Sequence, residues 1–354
     1  MASKNLPIET FSPEELARLA GLRYVTDEQT GFTRERNGNG FYYCNGRGLR
    51  MRERRNVARI EALAIPPAWT DVWICRFAEG HLQATGRDDR QRKQYIYHER
   101  WREISNLAKF WRLRQCAQFL PELRRRVTRD LRARGLTRNR VVAGMVAILD
   151  LTSIRIGNEE YVRQNNSYGL ATLRTRHVTI DGARAKLQFR AKGGAKREAV
   201  IEDRRLVRLL KELKELPGAH VFQYVDNEGK RHRADAITVN DYLRERTSHP
   251  FSAKDFRTWK ASSLAAGMLY EQRDVEKLAA RKRIAKTAVC AVAEALGNTP
   301  NICRKYYVHA GLLEAYLDGQ MLNLFQRYQR RHVNGLSHDE QILAHFLRRW
   351  PSSR

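Results

Sequence analysis

The sequence predicts an α+β chain with a small β-rich N-terminal domain, residues 1–103, and a larger, mostly helical domain, residues 104–354, that carries a three-stranded β insertion. Three observations lead there. Short aromatic and β-branched runs separated by Gly, Asn and Asp fill the chain up to about Arg100. From about Ile104, apolar residues recur at three-to-four spacing. One stretch, Leu173 to Ile201, reverts to alternation and is punctuated by glycine turns.

Each element follows in order. Ser12-Pro13 ahead of Glu14 and Glu15 marks a helix start. "GFYYCNG", "VWICRF", "LQATGR" and "QYIYH" read as strands, and a helix over "NVARIEALA" stops before Ile65-Pro66-Pro67. "ISNLAKFWRLRQCAQFLPELRRRVTRDLRARG" and "NRVVAGMVAILDLT" read as helices. Val178-Thr179-Ile180, Leu187-Gln188-Phe189 and Ala199-Val200-Ile201 read as three strands, joined at Asp181-Gly182 and Gly193-Gly194. Helices then continue to the C-terminus.

Composition narrows the partner. A hydrophobic fraction of 42% in 354 residues is enough for a packed core. Against that background, 66 Lys+Arg over 39 Asp+Glu leave a formal charge of +27. A chain this basic attracts polyanions, with nucleic acid the first candidate and an anionic membrane surface the second. The N-terminus lacks the apolar core of a signal peptide, and Val141 to Leu149 is too short to span a bilayer. The expectation is therefore a soluble, cytoplasmic protein. Five scattered cysteines, none two to four residues from another, argue against zinc and against a disulfide framework. No GxxxxGK[ST], HExxH or acidic metal cluster is present, so neither ATP nor metal nor other cofactor is expected.

Four stretches carry chemistry. In "GRDDRQRKQYIYHERW", Arg90, Arg92 and Lys93 interleave with Tyr95 and Tyr97, which share one face of a strand while Gln94 and Ile96 share the other. Cations for phosphates beside aromatic and amide groups for bases suit a DNA-facing strand; a charged, solvated edge strand is the plainer alternative. Arg155 follows a hydrophobic helix in "LDLTSIRIGNEEY", placed either to fork a phosphate or to pair with Glu159 or Glu160. Lys192 and Lys196 flank a Gly-Gly tip, and Arg257 lies in the helix-like "AKDFRTWKASSLAAG". Taken singly, these are ordinary surface or ion-pair residues.

Arginines, lysines and the late Tyr306-Tyr307 pair do suffice for one reaction. A tyrosine can attack a DNA phosphodiester and hold the strand as an ester. With an unperturbed pKa of roughly 10, it needs positive surroundings. Guanidiniums can stabilise charge on the non-bridging oxygens, and a lysine can protonate the departing 5′ oxygen.

In order along the chain, "ARIEALAIPPAWTDVWIC", "ATGRDDRQRKQYIYH", "LDLTSIRIGNEEYVRQNNSYGLATL", "KDFRTW" and "LGNTPNICRKYYVH" resemble the type IB DNA topoisomerases of the poxvirus-like group found in bacteria. The resemblance covers most of the chain. It implies the catalytic fold shared by tyrosine recombinases and these topoisomerases, and a monomer closing its two domains around duplex DNA near the nucleoid. It further implies that Arg155 and Arg257 clamp the scissile phosphate, Lys192 is the general acid, Asn298 donates to a non-bridging oxygen and Tyr307 is the nucleophile. It chooses Tyr307 over Tyr306 because the nucleophile in the family precedes a Val/Ile-type residue. Arg90, Arg92, Gln94, Tyr95 and Tyr97 match the family's DNA-contacting strand. Three positions depart from the family pattern: Asn298 stands where poxvirus members have His, Ala310 where Pro is commoner, and Tyr306 where a small residue is usual.

Two other readings remain at this stage. A tyrosine recombinase shares the chemistry, but its second arginine usually follows a histidine three residues earlier, where this chain has Lys254. A non-catalytic DNA-binding protein would need only the charge.

Overall fold

Arg34 explains a strand that the sequence pattern hides. A computed structural model describes residues 12–38, 40–329 and 335–350. In it β1 (Phe32–Asn37) is almost wholly charged beyond Phe32, yet pairs along its length with β2 (Gly40–Cys44). Its Arg34 guanidinium donates to the carbonyls of Ile65 and Pro66, both at 2.9 Å, and of Trp69 at 2.7 Å. Polar side chains on this strand are thus satisfied by a neighbouring loop, and no apolar alternation is needed to hold it.

The chain divides into two compact units, Met1–Trp111 and Arg112–Arg354. In the first, α1 (Pro13–Leu19) opens with the capping box that Ser12 and Glu15 predict. An antiparallel sheet runs in the order β2-β1-β3-β4-β5, with β3 (Thr70–Ile74), β4 (Leu82–Arg87) and β5 (Lys93–Tyr97). Phe32, Ile60, Val72, Ile74 and Ala84 form its core, Ile60 coming from α2 (Arg54–Ala62).

The division falls within α3 (Glu99–Asp130), which continues into the second unit. There follow α4 (Arg138–Thr152), α5 (Glu159–Asn165), β6 (Val178–Asp181), β7 (Arg184–Arg190), β8 (Lys196–Ile201) and α6 (Arg204–Glu215). The three strands form the antiparallel insertion that the alternation predicts. A short hairpin, β9 (Gln223–Val225) with β10 (Arg231–Arg233), interrupts what the sequence reads as continuous helix. Three residues per strand are too few to show a period. The remaining elements are α7 (Ala236–Thr247), α8 (Ala253–Glu271), α9 (Leu278–Leu296), α10 (Pro300–Tyr306), α11 (Ala310–Leu317), α12 (Met321–Phe325) and α13 (His338–Arg349).

Helices α4 and α8 are the centre of this unit. Val141 to Met145, Ile148 and Leu149 of α4 are buried, as are Phe256, Trp259, Ala265 and Leu269 of α8. An ionic network braces them. Arg124 of α3 pairs with Asp150 of α4 at 2.7 Å and with Glu340 of α13 at 2.7 Å, and Glu340 accepts from the Trp259 indole at 2.8 Å. Four cysteines are buried and Cys290 is exposed, all of them reduced. No described helix is long and apolar enough to cross a membrane.

Candidate active site

Helix ends deliver the functional side chains. Arg155 lies just past the end of α4, in a loop fixed by Gly157. That glycine is left-handed (φ +76°), and a Cβ on it would lie 2.7 Å from the Gly169 Cα. The same close approach lets Leu170 N–H donate to Arg155 O at 2.9 Å and Ala171 N–H to Ile156 O at 2.8 Å. Arg155 Nη2 donates to Asn298 Oδ1 at 2.5 Å. Glu159, the acid that a lone arginine would be expected to claim, pairs with Arg233 and, at 3.7 Å, with Arg174.

Asn298 is placed by the end of α9. Gly297 turns left-handed (φ +61°), and Asn298 N–H donates back to Ala293 O at 2.9 Å. The Asn298 carboxamide therefore accepts from Arg155, while its buried Nδ2 has no oxygen or nitrogen acceptor among the described residues and only the Cys303 thiol beside it. Such a donor costs stability unless something else accepts from it.

Arg257 is 3% exposed on α8. The helix starts at a capping box in which Ser252 N and Oγ donate to Asp255 Oδ2 at 2.9 and 2.7 Å. Its guanidinium closes the ends of two other helices: Nη1 donates to Ser153 O and Nη2 to Leu296 O, the latter at 2.9 Å. Burial lowers its basicity, and the charge of Arg155 lowers it further. The Arg257 Nε is also buried without a partner in the protein.

Tyr307 follows α10, whose start is set by Thr299 and Pro300. The N–H groups of Tyr307 and Val308 both donate to Cys303 O, at 3.0 and 2.9 Å. Ser262 of α8 fixes the backbone from the other side. Its Oγ donates to Tyr307 O at 3.0 Å and accepts from His309 N at 3.1 Å. The Tyr307 ring centroid is 5.2 Å from Arg257 Cζ. Burial works to raise the phenol pKa, but the charge and direct approach of Arg257, with Arg155 and Lys254, outweigh it and hold it below the usual tyrosine value. Tyr306, by contrast, is 44% exposed, with Lys305 Nζ 5.4 Å from its ring centroid.

Lys192 is exposed in the β7–β8 turn, its Nζ 5.1 Å from the centroid of the Tyr161 ring. One cavity of about 350 Å³ is lined by Arg155, Lys192, Lys254, Arg257, Tyr307 and Tyr161. The fold thus brings together on one cavity four of the five residues singled out as catalytic, and Asn298 lies behind it, bonded to Arg155 of its lining. This arrangement can hold one phosphodiester between two guanidiniums beside an acidified phenol.

Arg197 and Ser262 belong to the same framework and were not singled out from the sequence. Arg197 had a signal: on β8 it alternates in phase with Ala199 and buried Ile201, an inward place for a cation. Ser262 had none, because a small residue on a buried helix face reads as packing.

In the first unit, Tyr95 and Tyr97 stack with centroids 6.0 Å apart and planes 9° apart, on one face as the alternation requires. Asp88 organises the turn before them. It accepts from the backbone N–H of Arg90 and of Arg92, each at 3.0 Å, from Arg92 Nε at 2.7 Å and from Gln94 Nε2 at 2.9 Å. Arg92 is the main reason the Asp88 carboxyl is pulled down to about 2. Arg90, Gln94 and Arg92 are thereby grouped on one turn, while Ile96 packs into the core.

Known proteins match both units. Residues 98–332 match the family described as the catalytic core of eukaryotic DNA topoisomerase I, and residues 40–88 match the N-terminal domain of bacterial DNA topoisomerase IB. DNA topoisomerase 1B of Acanthamoeba polyphaga mimivirus is 32% identical over 293 residues, covering 81% of this chain and 87% of the relative. DNA topoisomerase I of Monkeypox virus and DNA topoisomerase 1B of Vaccinia virus (strain Copenhagen) are each 20% identical over 274 residues, covering 76% of this chain and 84% of the relative. A core match that runs through α4, the β insertion, α8 and Tyr307 takes in every wall of the cavity, and the chain belongs to the type IB DNA topoisomerases.

Proposed function

We propose that the protein relaxes supercoiled duplex DNA by cutting one strand through Tyr307, letting the free end rotate, and resealing it. The observation that carries this reading is the half-buried Tyr307 phenol, acidified by Arg257 and Arg155 on the wall of a cationic cavity. Attack forms the Tyr307 Oη–P bond to the 3′ phosphate and breaks the P–O5′ bond. The phenolic proton passes to solvent and O5′ takes a proton from Lys192. Arg155 and Arg257 bind the non-bridging oxygens as charge grows there, and the buried Asn298 Nδ2 supplies a further neutral donor. Reversal reseals the strand. Torsion stored in the DNA supplies the driving force, so the reaction needs neither ATP nor an essential metal.

Arg90, Arg92, Gln94, Tyr95 and Tyr97 form the duplex-contacting strand of residues 1–103, with residues 104–354 carrying the chemistry. The enzyme acts as a monomer on nucleoid DNA in the cytoplasm. A tyrosine recombinase or a passive DNA binder is less well supported, since the family match is to topoisomerases and Lys254 holds the topoisomerase form of its motif.

The test is plasmid relaxation in EDTA without ATP, with mass spectrometry of the trapped adduct. Wild type is expected to relax the plasmid and to carry a 3′-linked nucleotide on Tyr307. Relaxation by Tyr307→Phe at the wild-type rate, or an adduct on Tyr306, overturns the assignment.

A further inference from the structure

Arg197 lies on the inward face of β8, directly opposite Phe189 of β7, where its neighbours on that face are apolar. Its Nη2 donates to Thr152 O at 3.2 Å and to Ala295 O at 2.8 Å. Those carbonyls belong to the last turns of α4 and α9. The next carbonyls along the same two segments, Ser153 O and Leu296 O, are the ones that hold Arg257. Two arginines from different elements therefore close the same pair of helix ends, each at the negative pole of a helix dipole. Only four residues separate Arg197 from Lys192, and the turn between them is internally bonded: Ala191 N–H donates to Ala195 O at 2.7 Å and Gly194 N–H to Ala191 O at 3.0 Å.

We infer that Arg197 is a positioning residue for Lys192, pinning the base of the β7–β8 hairpin to the helix ends that carry the phosphate clamp. The inference rests on the reading of Lys192 as the general acid. Among the described residues the Lys192 side chain is anchored only against the Tyr161 ring, so its distance from the departing oxygen is set by where the hairpin base is held. The hairpin touches the helix ends through a cation whose charge is already partly desolvated: burial, then the charge of Arg155, lowers the pKa of Arg197. A charged group is kept there because two carbonyl acceptors at helix termini repay its burial.

The experiment compares single-turnover cleavage of an ordinary phosphodiester with cleavage of a 5′-bridging phosphorothiolate, whose thiolate leaves without a proton. Arg197→Ala is expected to cut the ordinary bond about 10- to 100-fold more slowly, a part of the ~10²–10⁴ that a positioned acid contributes. On the phosphorothiolate it should return to within about 3-fold of wild type, as Lys192→Ala should, with DNA affinity little changed. If Arg197→Ala is equally slow on both substrates while Lys192→Ala is rescued, Arg197 acts on the phosphate or on the fold, and the inference is wrong. If Lys192→Ala is itself not rescued, the acid assignment fails first and takes this one with it. Arg197→Lys and Arg197→Gln keep a donor for one carbonyl and provide the same comparison should the alanine variant not fold. Their expected losses are smaller but equally rescued, and unrescued losses overturn the proposal.

Discussion

The two sides of the catalytic cavity are built differently. On one side Arg257, Arg155 and Asn298 are tied to helix ends, and Ser262 ties down the backbone on both sides of Val308. On the other side Lys192 lines the cavity from an exposed turn, its ammonium against the face of the Tyr161 ring. The Arg257 guanidinium is fixed by main-chain carbonyls and that of Arg155 by the Asn298 carboxamide. On the proposed reading, the group that transfers a proton needs only to reach, and is carried on an arm. If Tyr307 is the nucleophile and Lys192 the acid, as proposed, the difference teaches that preorganisation goes to the phosphate-binding charges and the attacking group, while the acid is positioned at second hand.

The sharpest way to break this comparison is at the nucleophile. Tyr307→Phe should lose relaxation and adduct formation to the limit of detection, whereas Tyr306→Phe should stay within about 3-fold of wild type, since an exposed side chain off the cavity contributes little. Plasmid relaxation checks both.

Next is the clamp. Arg257→Lys keeps the charge but cannot bridge Ser153 O and Leu296 O, so cleavage should slow by about 10²–10³, with no recovery on a 5′-phosphorothiolate. The same variant reports on the phenol. Protonation of Tyr307 removes the nucleophile, so the rate falls as pH drops through its pKa. Native Arg257 helps hold that pKa below the ordinary tyrosine value, against the opposing effect of burial. Loosening Arg257 should raise it and move the falling limb to higher pH. An unshifted limb in single-turnover profiles would separate Arg257's geometry from its charge.

Ser262→Ala tests whether the backbone at Tyr307 needs its brace. Two hydrogen bonds are lost at a fully buried residue, so the cleavage rate should fall about 10-fold, corresponding to ~1–1.5 kcal/mol, with DNA affinity intact. A loss of binding without a loss of rate would point elsewhere. The smallest effect is expected in the first unit. Tyr95→Ala should weaken DNA binding by about 3- to 10-fold at fixed salt, leaving the slope of affinity against salt unchanged because no cation is removed. Filter binding across a salt series measures both.

Most of this was legible because each element had a local cause. Ser12-Pro13 marks a helix start, Ile65-Pro66-Pro67 a helix stop, and Asp181-Gly182 and Gly193-Gly194 the insertion's turns. β1 was not legible, since its polar run lacks alternation and Arg34 instead ties it to a loop by side-chain bonds. The β9–β10 hairpin was too short to show a period. At the site, the resemblance to the type IB topoisomerases pointed to Tyr307, Arg155 and Arg257, but no spacing in the chain says that Arg155 will choose Asn298 over Glu159. That choice is made by Gly157 against Gly169 and by the last turn of α9, contacts between residues far apart in sequence. Ser262 left no signal because it acts on backbone groups, and Arg197 left only its inward phase on β8, which does not name the carbonyls it binds.

Glu340 gives the network around α8 a temporal meaning. Trp259 and Arg124 are synthesised well before the carboxylate that both of them bind. A nascent chain can form α8 and expose Arg257 while the indole N–H beside it still has no acceptor, so the helix that carries the clamp is held in its final setting only after translation has passed α13. The bonds from Glu340 to Trp259 and Arg124 can therefore close only after α13 has been made, the last described helix of the unit.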